Sequence, residues 1–325
     1  MASHLPDRKH RLMSVKTGGK RRNAEETENK RRMEYLKQVI VCLGPERREQ
    51  ADALCDALRR ENIRCGRYPE EDILKQIRTG CGWNDSAVVI TDSRALSSGL
   101  AGSGIVCIGC AASEEAFFDG TAFVTDCPEQ LDGRTLEEYL LRMTGRPVTI
   151  AETGRLILRE IAEKDIDRLY EISRQKGMER ALSDPSQEAF FRRENLQAYI
   201  RTAYRFYGYG LWSVLLKDRT LIGCCGFSER SETDIQACSE VRLELQYMLD
   251  EAYRRCGYAT EMCRAALHYA ALQTAWENVY VRIRPDNEPS LRLAGKLGFR
   301  RPASCDRRSL QEDFIMLEYT LCKTN

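Results

Sequence analysis

The chain has 325 residues, 42% hydrophobic and 30% charged, which is long enough for about two domains and too apolar for a disordered protein. Its net charge of +1 is unevenly placed: residues 1–33 carry ten Lys/Arg against four Asp/Glu, so the remainder is mildly acidic and ill-suited to nucleic acid, leaving only the basic tail to touch an anionic partner. No apolar run reaches the ~18 residues of a membrane span, and the N-terminus has charges without an apolar core, so neither membrane insertion nor secretion is expected.

Residues 1–35 read as a basic flexible tail, helical at most from Ala24 onward. Residues 36–147 form an accessory domain in which short apolar strands alternate with helices. Strands are expected at Val39–Leu43, weakly at Ile63–Tyr68, then at Ala87–Thr91, Ile105–Ile108 and Ala122–Thr125. Helices are expected at Arg48–Glu61, Glu70–Ile77 and Leu136–Met143, where apolar residues recur at helical spacing. Continuous apolar strands separated by helices imply a small doubly wound parallel sheet, an α/β arrangement. Gly145-Arg146-Pro147 marks a junction.

Residues 148–325 follow a different pattern, that of a mixed α+β sheet with flanking helices. Strands are expected at Arg155–Arg159, Leu211–Leu216, Leu221–Phe227, Val241–Leu249, Val279–Ile283 and Phe314–Leu321, with a polar turn at Ser228–Asp234. Helices are expected at Glu163–Ser173, Arg192–Tyr207, Ala259–Ala271 and Pro289–Leu297. Along Val241–Leu249, Glu244 shares one face with Arg242, Gln246 and Met248, while Val241, Leu243, Leu245, Tyr247 and Leu249 share the other.

The stretch Tyr253-Arg254-Arg255-Cys256-Gly257-Tyr258-Ala259-Thr260 runs from that strand, through a glycine turn, into a helix. The first amides of a helix lack internal partners and carry the positive end of its dipole, so a pyrophosphate can sit there. Gly257 lets the backbone approach, and Ala259 keeps the helix entry open. The plain alternative is a surface turn with a helix cap. Glu244 upstream, with Asn287-Glu288-Pro289-Ser290 and Lys296-Leu297-Gly298-Phe299 downstream, favours the binding reading. Glu244 itself is either a functional carboxylate or a salt-bridged strand residue.

These pieces resemble the GNAT N-acyltransferase superfamily, within it the branch of the RimJ/RimL ribosomal-protein acetyltransferases. Thr153-Gly154-Arg155-Leu156-Ile157-Leu158-Arg159 is similar to that branch's opening strand. Glu244–Leu249 resembles its Glu-x-Gly-Tyr-x-Leu strand with Gln246 in place of Gly, and Arg254-x-x-Gly257-x-Ala259 resembles its acyl-CoA pyrophosphate loop. The resemblance implies acetyl-CoA as co-substrate and transfer of its acetyl group to a primary amine. It implies CoA contacts at Arg254, Arg255, Cys256, Gly257, Tyr258, Ala259, Thr260, Asn287 and Ser290. A backbone amide near Met248 or Leu249 is implied at the thioester carbonyl, with Glu244 as base. Many members place a tyrosine acid on the last helix, and Ala294 stands there, leaving a water or Ser290 to serve the departing thiolate. Protein N-termini, antibiotics, polyamines and amino acids all fit as acceptors. A non-catalytic acyl-CoA sensor is the alternative reading.

Other residues weigh less. Fourteen cysteines, with Cys42, Cys107, Cys224, Cys225 and Cys263 in apolar runs, read as small hydrophobes of a reducing, cytoplasmic compartment. Cys107 and Cys110 spell C-x-x-C, but no second pair stands at zinc spacing and the histidines are His4, His10 and His268, so no metal is expected. Cys256 and His268 lack partners nearby in sequence that would make them catalytic. Trp212, Tyr204, Tyr207 and Tyr209 are either acceptor-cleft or core aromatics. The first domain lacks a Gly-x-Gly-x-x-Gly after its first strand and the Asp-x-Asp of a phosphatase. It loosely resembles a degenerate haloacid-dehalogenase-like fold and reads as a regulatory, substrate-presenting or dimerising module, with Asp92 and Asp126 structural.

Overall fold

The computed structural model describes residues 34–79, 83, 86–111, 118, 121, 123–178, 189–207, 209–231, 241–274, 276–302 and 314–322. The basic tail of residues 1–33 and residues 232–234 of the expected polar turn at 228–234 therefore lie outside the described residues. The chain divides into two compact units, Met1–Arg146 and Pro147–Asn325.

In the first unit, strands β1 (Gln38–Cys42), β2 (Arg64–Arg67), β3 (Ala87–Thr91), β4 (Val106–Cys110) and β5 (Val124–Thr125) form a parallel sheet in the order 2-1-3-4-5. Helices α1 (Arg48–Arg60), α2 (Glu70–Arg78), α3 (Arg94–Leu100) and α4 (Gly133–Met143) join them. Alternate strand residues supply two cores. Val39, Val41, Val88 and Ile90 pack with Leu54, Leu58, Leu136 and Leu140, while Ile40, Val89 and Cys107 pack with Ile73, Leu96 and Leu100. Coverage on both faces is why these strands are apolar without alternation. Helix α3 had no signal in the hydrophobic pattern; its start is fixed by Ser93, whose hydroxyl accepts from the Leu96 amide. The order is that of flavodoxin-type sheets, with its direction switch between β1 and β3. Asp92 at that switch accepts from the Gly44 amide at 2.8 Å. Burial pushes the thiols of Cys107 and Cys110 up to about 12 and about 11.

The second unit is a seven-stranded mixed sheet in the order 12-11-10-9-8-7-6. Its strands are β6 (Thr149–Glu152), β7 (Leu156–Glu160), β8 (Leu211–Leu216), β9 (Leu221–Ser231), β10 (Val241–Leu249), β11 (Asn278–Ile283) and β12 (Ile315–Thr320). All pairings are antiparallel except β10 with β11. The helices are α5 (Ile166–Ser173), α6 (Arg193–Tyr207), α7 (Tyr258–Gln273) and α8 (Glu288–Leu297). β9 runs to Ser231, four residues past its expected end, because each residue from Ser228 on finds a partner in β10. Edge strand β6 gave no apolar run, being half-exposed, and is held by β7.

One helical layer rests on Leu211, Cys224 and Met248, which meet Ile166, Leu169, Ile172 and Leu196 of α5 and α6. On the same side Asp165 holds Arg159 through two hydrogen bonds of 2.5 and 2.7 Å, and takes a third from Ser213 at 2.8 Å. Arg159 and Asp165 are each 5% exposed, so this ion pair is a buried, fully partnered fixture of the core.

Candidate active site

β10 pairs with β9 along all nine of its residues, but its register with β11 is a single position, Glu244↔Tyr280. Past Glu244 the two parallel strands part. The Asp250 amide donates to the Ile222 carbonyl at 2.8 Å, so amides of even number on β10 turn toward β9. By alternation the amides of Tyr247 and Leu249 turn the other way, into the parting. The Met248 amide is directed at β9, and its side chain lies in the core with Cys224.

The strand's exit is clamped. Asp250 is 3% exposed and takes hydrogen bonds from Arg168, from Gln175 at 3.2 Å and from the Ala252 amide at 3.0 Å. Arg254 folds back, donating to the Leu249 carbonyl at 3.1 Å and touching the Met178 sulfur at 3.1 Å. Its side chain is thus a brace under the turn. The exposed Arg255 is free to face outward and adopts φ 63°.

Gly257 adopts φ 84° and caps α7 without a side-chain hydrogen bond. The first internal bond of the helix runs from the Glu261 amide to the Gly257 carbonyl, so the amides of Tyr258, Ala259 and Thr260 are the helix's unsatisfied donors. Arg255 and Gly257, both at positive φ, flank the exposed Cys256.

Arg155 secures the turn from β7's start. Its guanidinium donates to the Cys256 carbonyl at 3.0 Å and to Glu261 at 2.7 Å, and lies 4.4 Å above the Tyr258 ring. Thr153 donates to the same carboxylate at 2.5 Å. Burial alone would raise Glu261, but the hydrogen bonds from Thr153 and Arg155 outweigh it and hold the carboxyl below its ordinary range. Arg155 thereby cancels a negative charge in the first turn of α7, where an anion would bind. In the sequence Arg155 reads only as part of an opening strand; nothing in its neighbours signals a contact 101 residues away.

Across the parting, Asn287 caps α8 by accepting from the Ser290 amide at 3.3 Å. Ser290 also bonds Tyr247, whose hydroxyl burial pushes well up. Ala294, further along α8, is 2% exposed.

Glu244 is 5% exposed and accepts from Arg282 Nε of β11 at 3.3 Å. Arg242 lies over the Tyr280 ring at 5.1 Å, and the Tyr280 hydroxyl donates to Glu318 at 2.8 Å. Glu244 thus sits on a charged sheet face at the point where β10 and β11 separate. Of the candidate aromatics, Trp212 and Tyr204 are core. Trp212 stacks edge-on with Phe227 and Tyr269, and Tyr204 accepts from the Ile161 amide at 2.9 Å. Tyr209 bonds Glu229 and Trp276. His268 is exposed on α7. Among the described residues no group of His, Cys, Asp and Glu is arranged to hold a metal, and no helix is long and apolar enough to cross a membrane.

Residues 155–300 match the sequence profile of the family described as Acetyltransferase (GNAT) domain. Over 155 residues, 46% of this chain is 26% identical to 81% of the uncharacterized N-acetyltransferase YnaD of Bacillus subtilis (strain 168). Among solved structures, an acetyltransferase from Agrobacterium tumefaciens str. C58 overlays 52% of this chain on 92% of its own, with TM-score 0.42 and 20% identity. Spermidine N-acetyltransferase from Vibrio cholerae, in complex with CoA and spermine, overlays 53% on 98%, with TM-score 0.41 and 14% identity.

Proposed function

We propose that residues 155–300, which match the acetyltransferase (GNAT) domain profile, transfer an acetyl group from acetyl-CoA to a primary amine by direct attack in a ternary complex. The observation that carries the reading is the parting of β10 from β11 beyond Glu244, which opens toward the left-handed turn and unsatisfied amides at the start of α7. The residues fit an anionic, extended ligand: three helix-terminal amides, the exposed Arg255, and a neighbouring carboxylate already neutralised by Arg155.

Acetyl-CoA supplies an activated thioester. Tyr258, Ala259 and Thr260 offer their amides to the pyrophosphate, and the turn through Cys256 and Gly257 leaves them open. The Leu249 amide, turned from β9, is the donor we assign to the carbonyl that gains negative charge on attack. Glu244 takes the amine's proton. Glu244 acts as the C–N bond forms and the nitrogen becomes acidic, directly or through a water. A thiol of pKa ~8.5 leaves readily near neutral pH. The Ser290 hydroxyl, hydrogen-bonded to Tyr247, is the donor we assign to it; Asn287 caps the helix that carries Ser290.

The first unit is read as a non-catalytic module, since Asp92 is engaged in closing the β1 turn. Its buried thiols support a reducing, cytoplasmic setting. The test is acceptor-dependent release of CoA thiol by the purified chain over a panel of amines, with CoA binding measured in parallel. Absence of CoA binding sinks the reading; binding without transfer to any amine replaces it with a sensor.

A further inference from the structure

Within a strand a residue's N–H and C=O point to the same side. The Leu249 amide turns from β9 into the parting, so the Leu249 carbonyl turns there as well. β11 has left β10 by this point and meets neither group. Arg254 meets one of them: its Nε donates to the Leu249 carbonyl at 3.1 Å. Its Nη2 touches the sulfur of Met178 at 3.1 Å, and Met178 is 3% exposed, packed in the core formed with α5 and α6. Seated at both prongs, the guanidinium stands in for the missing strand at the carbonyl and leaves the amide facing the parting. The next residue is fixed as firmly. The Asp250 amide donates to the Ile222 carbonyl at 2.8 Å, and its buried carboxylate takes bonds from Arg168, Gln175 and the Ala252 amide. The Gln175 side-chain oxygen accepts in turn from the Glu251 amide at 2.8 Å. Rotating the Leu249–Asp250 peptide therefore breaks the bonds to Arg254 and Ile222 together, and the Asp250 carboxylate resists any shift of the strand end.

We infer that Arg254 is a positioning residue for the acyl donor, acting through Leu249. By holding the carbonyl it keeps the Leu249 N–H aimed at the thioester oxygen, and it sets a positive charge on the side of β10 where that oxygen gains negative charge. The pyrophosphate end of the ligand is left to the α7 amides and Arg255. Arg254 then serves the reacting end of acetyl-CoA, and its loss strikes the chemical step while sparing CoA affinity. This inference rests on the acetyl-transfer reading, which identifies the oxygen, but the hydrogen bond it requires is read on bound acetyl-CoA without turnover.

The experiment uses the full chain as wild type, Arg254→Met, Arg254→Gln and Arg254→Lys. CoA affinity is measured by calorimetry, and kcat by thiol release at saturating acetyl-CoA with the amines of the panel. The thioester C=O stretch is read by infrared difference spectroscopy on bound acetyl-CoA carrying carbon-13 at the carbonyl. In the wild type the stretch moves to lower wavenumber than in buffer, because a hydrogen bond to the oxygen weakens the C=O bond. In Arg254→Met most of that shift is lost, kcat falls roughly 10- to 100-fold, and the CoA dissociation constant stays within about threefold of wild type. Arg254→Lys keeps the cation and recovers part of both shift and kcat, while Arg254→Gln keeps a donor alone and recovers less. These two variants carry the comparison where Arg254→Met does not fold. A wild-type spectrum without the shift, or a shift and kcat unaltered in Arg254→Met, overturns the inference. So does a CoA dissociation constant raised by about tenfold or more in Arg254→Met with kcat unchanged, which would return Arg254 to the pyrophosphate. A shift that is lost in Arg254→Met upholds the inference even where no amine is acetylated, a result that counts against acetyl transfer alone.

Discussion

Gly257→Ala is the sharpest probe of the turn. Gly257 sits at φ 84°, where a Cβ carries a steric penalty of about 1–2 kcal/mol. Space is not the obstacle: the added Cβ would stand 3.4 Å from Arg155 Nη2, an ordinary contact. Reduced freedom of the unfolded chain returns roughly 0.4–1 kcal/mol. The net loss is then about 1 kcal/mol, which lowers Tm by roughly 2–4 °C in a unit of this size if the turn keeps its shape. If the turn instead relaxes in the free protein, stability is spared and binding must restore the left-handed shape. The CoA dissociation constant then rises roughly 5- to 30-fold. Gly257→Asn retains the backbone preference, since Asn tolerates this region, and is expected to fall between wild type and Ala. Calorimetric titration with CoA beside thermal unfolding reads both routes. Wild-type values of Tm and CoA affinity in both variants would refute the idea that this backbone shape builds the anion site.

Glu244→Gln is expected to lower kcat/KM by roughly 10²- to 10⁴-fold with CoA affinity intact; a change under threefold in a thiol-release assay would reduce Glu244 to a structural partner of Arg282. Asp165→Asn strands Arg159 in the core and should cost about 3–5 kcal/mol in urea unfolding; a loss below 1 kcal/mol would mean that water reaches the pair. Glu261 is held below its ordinary value of 4.5, so its share of stability is present above that pH and lost as pH falls through the lower folded-state value. The Thr153→Val, Arg155→Met double variant should accordingly flatten the acid limb of a stability-against-pH curve, and an unaltered limb would exclude this cluster as its source. In the first unit, the Cys55 and Cys65 sulfurs lie 2.8 Å apart, so oxidised glutathione should convert them to a disulfide, releasing two reduced glutathiones. Mass spectrometry after alkylation should find that pair protected in the wild type and absent in Cys65→Ser; two freely alkylated thiols after oxidation would oppose it.

Much of the second unit was legible because its signals are local. The alternation through Val241–Leu249 and the Arg-x-x-Gly-x-Ala turn each depend on residues close in sequence, and β10 and α7 follow them nearly to the residue. Helix α3, with its serine cap and mixed pattern, and the half-exposed edge strand β6 carried no comparable apolar period. Arg155, Asp250 and Arg282 were missed for another reason. Each is an ordinary charged residue in a strand or at its end, and its partner lies on a different element.

The sequence by itself determined where the chain can form a strand, a left-handed glycine turn and a helix start, because φ preferences and hydrophobic period are properties of neighbouring residues. It also placed a carboxylate on the strand leading to that turn. Only the tertiary structure decided which amide faces the parting, since that depends on β10 having β9 on one side and losing β11 on the other. The same folding set Arg254 against the Leu249 carbonyl, brought Arg155 to neutralise Glu261, and set Arg282 against Glu244. Those pairings arise from strand register, which no local pattern of residues encodes.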